Sequence, residues 1–145
     1  MIKKIRLPAE GRIADKLDEL TRYYDELLED LPTKDDFEEK RVLRRSIEKT
    51  LELIADTITD IALILISEFG FEKPLDAREA IDALVVHKIL TKQLGEKIKD
   101  LISFRNLLVH RYGKIDVERE YETIQEDHGD IQEFIKEIDT HLKSA

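Results

Sequence analysis

The sequence predicts an all-α fold, an antiparallel bundle of four to five helices with no sheet. Three observations predict it. Charged residues make up 39% of the chain, while glycine numbers 5, proline 3 and tryptophan 0; this composition favours helices and leaves few residues that break them. Apolar residues recur at spacings of three and four along most of the length, as they do in helices that bury one face. No segment alternates apolar and polar residues at period two, as a half-buried strand does. At 145 residues the chain is expected to form one domain, residues 1–145, long enough to bury a real core.

The first helix is expected from about Ala9 to Glu29, with Ile13, Leu17, Leu20, Tyr24 and Leu27 or Leu28 on one face. Leu31-Pro32 ends it, because proline disfavours helix in the residue before it. The second is expected to run unbroken from Thr33 or Lys34 to Phe69. Its stripe of Leu43, Ile47, Leu51, Ile54, Ile58, Ile61 and Leu65 is spaced 4, 4, 3, 4, 3, 4, and residues 61–66 are apolar all round, which makes this part central. Gly70 stops it. The third follows Pro74, with Asp76 as N-cap, Glu79 three residues later and Ile81, Leu84, Val85 and Ile89 inside. The fourth runs from about Thr91 to Tyr112 and stops at Gly113. The fifth covers about Val117 to Leu142, interrupted near His128-Gly129.

Composition also excludes function classes. With 0 cysteines there are neither disulfides nor thiolate metal sites. The longest apolar run, Ile61 to Ile66, is far too short to span a bilayer, and the basic start of the chain is not followed by an apolar run. A soluble, cytoplasmic protein with no membrane partner is expected. The net charge of −9 argues against a general nucleic-acid coat protein. Charge is uneven, however. Residues 116–139 hold ten acids against Arg119 and Lys136, whereas 103–114 hold no acid and carry Arg105, Arg111 and Lys114. Basic surface can therefore form around that segment, while the cluster at 40–45 reads as ordinary helix decoration.

Residues 103–112 are the most informative stretch. Arg105, Asn106, His110 and Tyr112 stand within eight residues on the last turns of the fourth helix, and these side chains hold phosphates and move protons. On a helical wheel Leu101, Phe104, Leu107 and Leu108 fall on one side. Arg105, Asn106 and His110 fall broadly opposite, with Ile98, Ile102 and Val109 among them. The second side is expected to be covered by another copy of the chain across a two-fold axis.

Arg105-Asn106-Leu107-Leu108-Val109-His110-Arg111-Tyr112 fits the Arg-x4-His-x-Tyr signature of HEPN domains, and the chain resembles the HepT-like ribonuclease toxins among them. The likeness extends upstream through residues 45–62, to Phe104 before the motif and to residues 113–116 after it. The resemblance implies an all-α homodimer that cuts RNA as an endoribonuclease without a metal or cofactor. It further implies a companion antitoxin, a minimal nucleotidyltransferase of the MntA type, that transfers AMP to the motif tyrosine. Carried onto this sequence, Arg105 and His110 are catalytic, Asn106 is supporting, and Tyr112 is the AMPylated residue.

The chemistry suits these residue types. Metal-independent RNA cleavage must activate the 2′-hydroxyl, protonate the leaving oxygen and stabilise charge on phosphorus. Histidine titrates near neutrality and arginine forks onto phosphate. One chain supplies one such histidine, and Arg105 and His110 stand about 140° apart around the helix; two motifs meeting in a dimer answer both difficulties. An alternative is a non-catalytic nucleotide-binding or partner-binding module that assembles with the nucleotidyltransferase. A third reading, a metal–carboxylate bundle, starts from Glu48, Glu52, Asp56 and Asp60, which recur every four residues, but no Glu-x-x-His occurs in the chain. The stripe reads instead as a solvated face in which one acid orients a basic residue. His87 is read as a partly exposed helix residue, His128 as a turn residue and His141 as a complement to a helix dipole.

Overall fold

The structure, a computed structural model that describes residues 9–110 and 115–143, contains only helices among the described residues. They are α1 (Ala9–Asp30), α2 (Lys34–Glu39), α3 (Arg41–Phe69), α4 (Ala77–Val86), α5 (Lys92–His110), α6 (Val117–Asp127) and α7 (Gly129–Lys143). The expected all-α bundle is observed. α3 is its spine and packs against α1, α2, α4 and α5, while α7 closes the other side against α1 and α5.

The periodic stripes become the core. Ile13, Leu17, Leu20, Tyr24 and Leu27 of α1 are buried, and they meet Ile47, Leu51, Ile54, Ile58, Ile61 and Leu65 of α3. Fully burying one such aliphatic side chain contributes about 1.5–3 kcal/mol, so this seam dominates the stability of the bundle. The expectation that residues 61–66 are enclosed on every side is corrected at one position: Leu63 is 43% exposed.

The long second helix of the sequence reading is two helices. Lys40 leaves helical geometry at φ −97° and ψ 90° and divides α2 from α3. No proline or glycine marks the break. Tertiary contacts produce it instead. Phe37 is fully buried with its ring 5.3 Å from that of Tyr121 on α6. The Arg44 guanidinium then donates to the carbonyl oxygens of Phe37 and Glu38, both at 2.9 Å, which satisfies groups a helix end leaves bare. One member of the basic 40–45 cluster is thus structural.

The other ends follow local chemistry. Gly70 sits at φ +70°, and the next amide, Phe71 N–H, donates back to Ile66 O, a left-handed stop that glycine makes without steric cost. The Asp76 carboxylate accepts from Glu79 N–H at 2.8 Å and starts α4. Tyr121 Oη donates to Pro32 O at 2.7 Å, tying α6 to the α1–α2 link. The interruption near His128-Gly129 is real and separates α6 from α7.

α5 is held at its start from two directions. A Cβ built on Gly95 would lie 2.3 Å from Val85 Cγ2, so only glycine lets α4 come this close. From α7, the Glu137 carboxylate accepts from Thr91 N–H at 2.8 Å and from the Thr91 hydroxyl at 3.2 Å. A negative side chain here also suits the positive end of the helix. These contacts fix the axis and rotation of the helix that carries the motif.

Candidate active site

Leu94, Ile98 and Ile102 form a row along α5, and all three are buried within the chain. Arg105 follows three residues later, within about 20° of Leu94 around the helix. The arginine therefore occupies the position where the row would otherwise place another core residue. At that level α3 supplies an acid. Arg105 Nη2 lies 3.1 Å from Asp56 Oδ1, with the two side chains 24% and 49% exposed. Arg105 Nη1 also donates to Asn106 Oδ1 at 3.2 Å. The Nε of Arg105 is buried without a hydrogen-bond partner.

Stability gives little reason for this arrangement. A partly exposed ion pair contributes about 0–1 kcal/mol. A buried, unsatisfied N–H costs about 1–3 kcal/mol. An apolar side chain in the same row would do better on both counts. A half-buried cation in line with an apolar row is the kind of departure that marks functional sites.

His110 is the last residue of α5 and is exposed. Asn106 stands one turn before it, about 40° away around the helix. The structure thus joins Arg105 to Asn106 by a hydrogen bond and puts Asn106 and His110 on one side of α5, with Arg105 turned toward α3. Tyr112, the fourth motif residue, lies outside the described residues, as does the expected stop at Gly113.

The two sides of α5 divide differently from the sequence expectation: Leu108 is buried and Asn106, Val109 and His110 are exposed as expected, but Ile98 and Ile102 are not. The side of Ile98 and Ile102, expected to need a second copy of the chain, is buried within the chain itself at 0% and 3% exposure. The side of Leu101, Phe104 and Leu107 is the one left partly open. Those three residues, with Leu51, Ile124 and Ile131, line a groove of about 300 Å³ between α3, α5, α6 and α7. Asp100, Asp127 and Asp130 lie at the groove as well, and burial pushes the Asp130 carboxyl above its usual range, against the opposing effect of Lys97. None of Arg105, Asn106 and His110 lines it.

The acidic stripe of α3 resolves into separate roles. Glu48 is buried at 5% exposure, against the expectation of a solvated face. Glu52 pairs with Lys49 at 3.5 Å and Asp60 with Lys16 of α1 at 3.2 Å. Asp56 is the acid that meets the motif. Among the described residues no group of three or more His, Asp or Glu residues is arranged to hold a metal ion. Outside the site, His87 stacks on Phe71 with ring centroids 3.5 Å apart. His141 meets the edge of Phe69, and burial lowers its pKa; a dipole complement would have it raised.

A helical bundle with an arginine turned toward α3 and a histidine at the end of the same helix agrees with the resemblance its sequence carries. The chain belongs to the family described as Ribonuclease HepT-like, whose model matches residues 13–138. Its fold is that of the HEPN toxins. It is 22% identical to the mRNA nuclease HepT of Shewanella oneidensis over 102 residues, 70% of this chain and 77% of the relative. It is 27% identical to YutE of Bacillus subtilis over 99 residues, 68% of this chain and 69% of that protein. Among solved structures, the tri-AMPylated Shewanella oneidensis HEPN toxin in complex with its MNT antitoxin superposes with a TM-score of 0.84 at 20% identity, covering 88% of this chain and 96% of that one. YutE of Bacillus subtilis superposes with a TM-score of 0.75 at 23% identity, covering 90% and 91%.

Proposed function

We propose that this chain is the toxin of a toxin–antitoxin pair, an endoribonuclease that cleaves RNA through Arg105 and His110 with Asn106 in support. The observation that carries the reading is the inward arginine, held by Asp56 at 3.1 Å and by Asn106 at 3.2 Å at the end of a helix that closes on an exposed histidine. In the proposed reaction the 2′-oxygen attacks the adjacent phosphorus and loses its proton to a base. The bond from phosphorus to the 5′-oxygen breaks, and that oxygen takes a proton from an acid. Arg105 stabilises the charge gathered on the phosphoryl oxygens, and His110 exchanges protons. No metal is needed for these steps.

Base and acid are separate tasks, and Arg105 and His110 lie on different sides of α5. We infer a homodimer in which two copies of the motif face one cleft, so that each task has its own histidine. Exposed Val109, at 40%, is an apolar contact that the last turn offers beside the site. The antitoxin in this reading is a minimal nucleotidyltransferase that adds AMP to Tyr112. The added phosphate brings bulk and negative charge to the motif and competes with RNA for Arg105. A protein of the same fold supports this partner, since a tri-AMPylated HEPN toxin is seen in complex with an MNT antitoxin.

The test is cleavage of RNA by purified protein unmodified at Tyr112, beside protein treated with a minimal nucleotidyltransferase and ATP. The reading expects cutting by the first, loss of cutting in the second, and a mass increase of one AMP on Tyr112. Unmodified protein that binds RNA or nucleotide without cutting would establish the binding-module alternative instead.

A further inference from the structure

We propose that Asp56 is a positioning residue for Arg105, holding the guanidinium at the α3–α5 seam in the orientation that meets the scissile phosphate. The proposal rests on the ribonuclease reading above and adds a residue that the motif does not contain.

The geometry carries it in three steps. First, Arg105 leaves α5 along the core row, where its neighbours Ile98 and Ile102 are buried. A long side chain there needs a partner to end against, and its Nε has none. Second, two partners fix the plane of the guanidinium. Asp56 Oδ1 from α3 takes Nη2 at 3.1 Å, and Asn106 Oδ1 from α5 takes Nη1 at 3.2 Å. A guanidinium carries five N–H groups in a rigid fork. Nη1 donates one hydrogen bond, to Asn106, and the contact with Asp56 is an ion pair, so N–H groups on both terminal nitrogens remain for a phosphate oxygen. Third, the neighbouring acids are engaged elsewhere. Asp60 is turned to Lys16 at 3.2 Å and Glu52 to Lys49 at 3.5 Å.

The ion pair is partly exposed, with Asp56 at 49% and Arg105 at 24%. Solvent screens it, so the carboxylate orients the arginine without cancelling its attraction for phosphate. Asp56 also offsets the repulsion of two Arg105 side chains brought into one dimer cleft.

The experiment measures kcat and KM on an RNA oligonucleotide for the wild type, Asp56→Asn and Asp56→Glu, all unmodified at Tyr112, together with thermal melting. Misplacing a group that stabilises the transition state costs about 10–100-fold. The expected result is a kcat lowered by that factor in Asp56→Asn, with KM within about threefold and melting unchanged, and most of the rate restored in Asp56→Glu. Wild-type kcat in Asp56→Asn overturns the proposal. A raised rate overturns it too, since Asp56 would then compete with phosphate for Arg105. A lowered rate matched by a lowered melting midpoint, and not rescued by Asp56→Glu, assigns Asp56 to packing and overturns it as well. A wild type that cuts no RNA is a separate outcome: it overturns the ribonuclease reading, and this role falls with it.

Discussion

The two halves of α5 share one inward row and use it differently. From Leu94 to Ile102 the row is apolar, enclosed, and pressed so close to α4 that Gly95 leaves no room for a methyl group against Val85. From Arg105 to His110 the row ends in a cation with an unsatisfied N–H, and around it Leu107 at 38% and Val109 at 40% exposure stand open while Leu108 stays buried. The first half stabilises the fold and the second departs from what stability favours. The difference teaches that a bundle can position a site by keeping one end of a helix immovable, so that the groups at the other end are placed with little freedom.

The largest effect that sharpens this comparison is on activity. Arg105→Ala is expected to lower RNA cleavage by about 10²–10³-fold, the loss that follows removal of one group stabilising transition-state charge. Its melting temperature should change little, because the pair it breaks is worth about 1 kcal/mol at most. A large fall in melting temperature would show that Arg105 belongs to the core after all.

Ile98→Ala probes the other half. Ile98 is fully buried, and truncating such a side chain costs about 2–5 kcal/mol. Chemical denaturation should show that loss, while the folded fraction keeps wild-type activity per molecule. Gly95→Ala comes next. The added methyl meets Val85 Cγ2 at 2.3 Å, and overpacking of this kind costs about 1–3 kcal/mol. Pairing it with Val85→Ala should recover part of the loss in the same denaturation experiment. If Gly95→Ala is neutral alone, α4 and α5 are not held as tightly as the comparison requires.

The smallest expected effect is on the pH dependence of stability. Burial lowers the pKa of His141 below its ordinary 6.5, so the unfolded chain takes up this proton more readily than the folded one. The contribution of neutral His141 is complete above pH 6.5 and is lost as pH falls through the folded value. His141→Gln should flatten this part of the stability profile, read by melting between about pH 5 and 7. An unchanged slope would remove His141 as its source.

Much of the fold was legible in the sequence because helix periodicity survives in the core. Ile13 to Leu27 and Ile47 to Leu65 are buried as their spacing requires, and Asp76 caps α4 as its type and position suggest. The break at Lys40 was not legible, because its causes are Phe37 against Tyr121 and Arg44 against two carbonyl groups, contacts between segments far apart in the chain or folded back on themselves. The same limit governs the site. Arg105, Asn106 and His110 stood out by residue type. The burial of Ile98 and Ile102 within the chain is not legible, because a wheel gives angles between residues and not the side on which α3 lies. The acidic stripe was visible, but which of its members meets Arg105 depends on the level at which α3 and α5 cross.

The most direct test of the central claim compares the wild type with His110→Ala, both unmodified at Tyr112, on total cellular RNA in the presence of a chelator. His110 is exposed at the end of α5, so its removal should leave melting unchanged while lowering cleavage by about 10²–10⁴-fold, the usual contribution of a general acid or base. Equal cleavage by both proteins would contradict the account, and so would a wild type that cuts only when a divalent metal is returned.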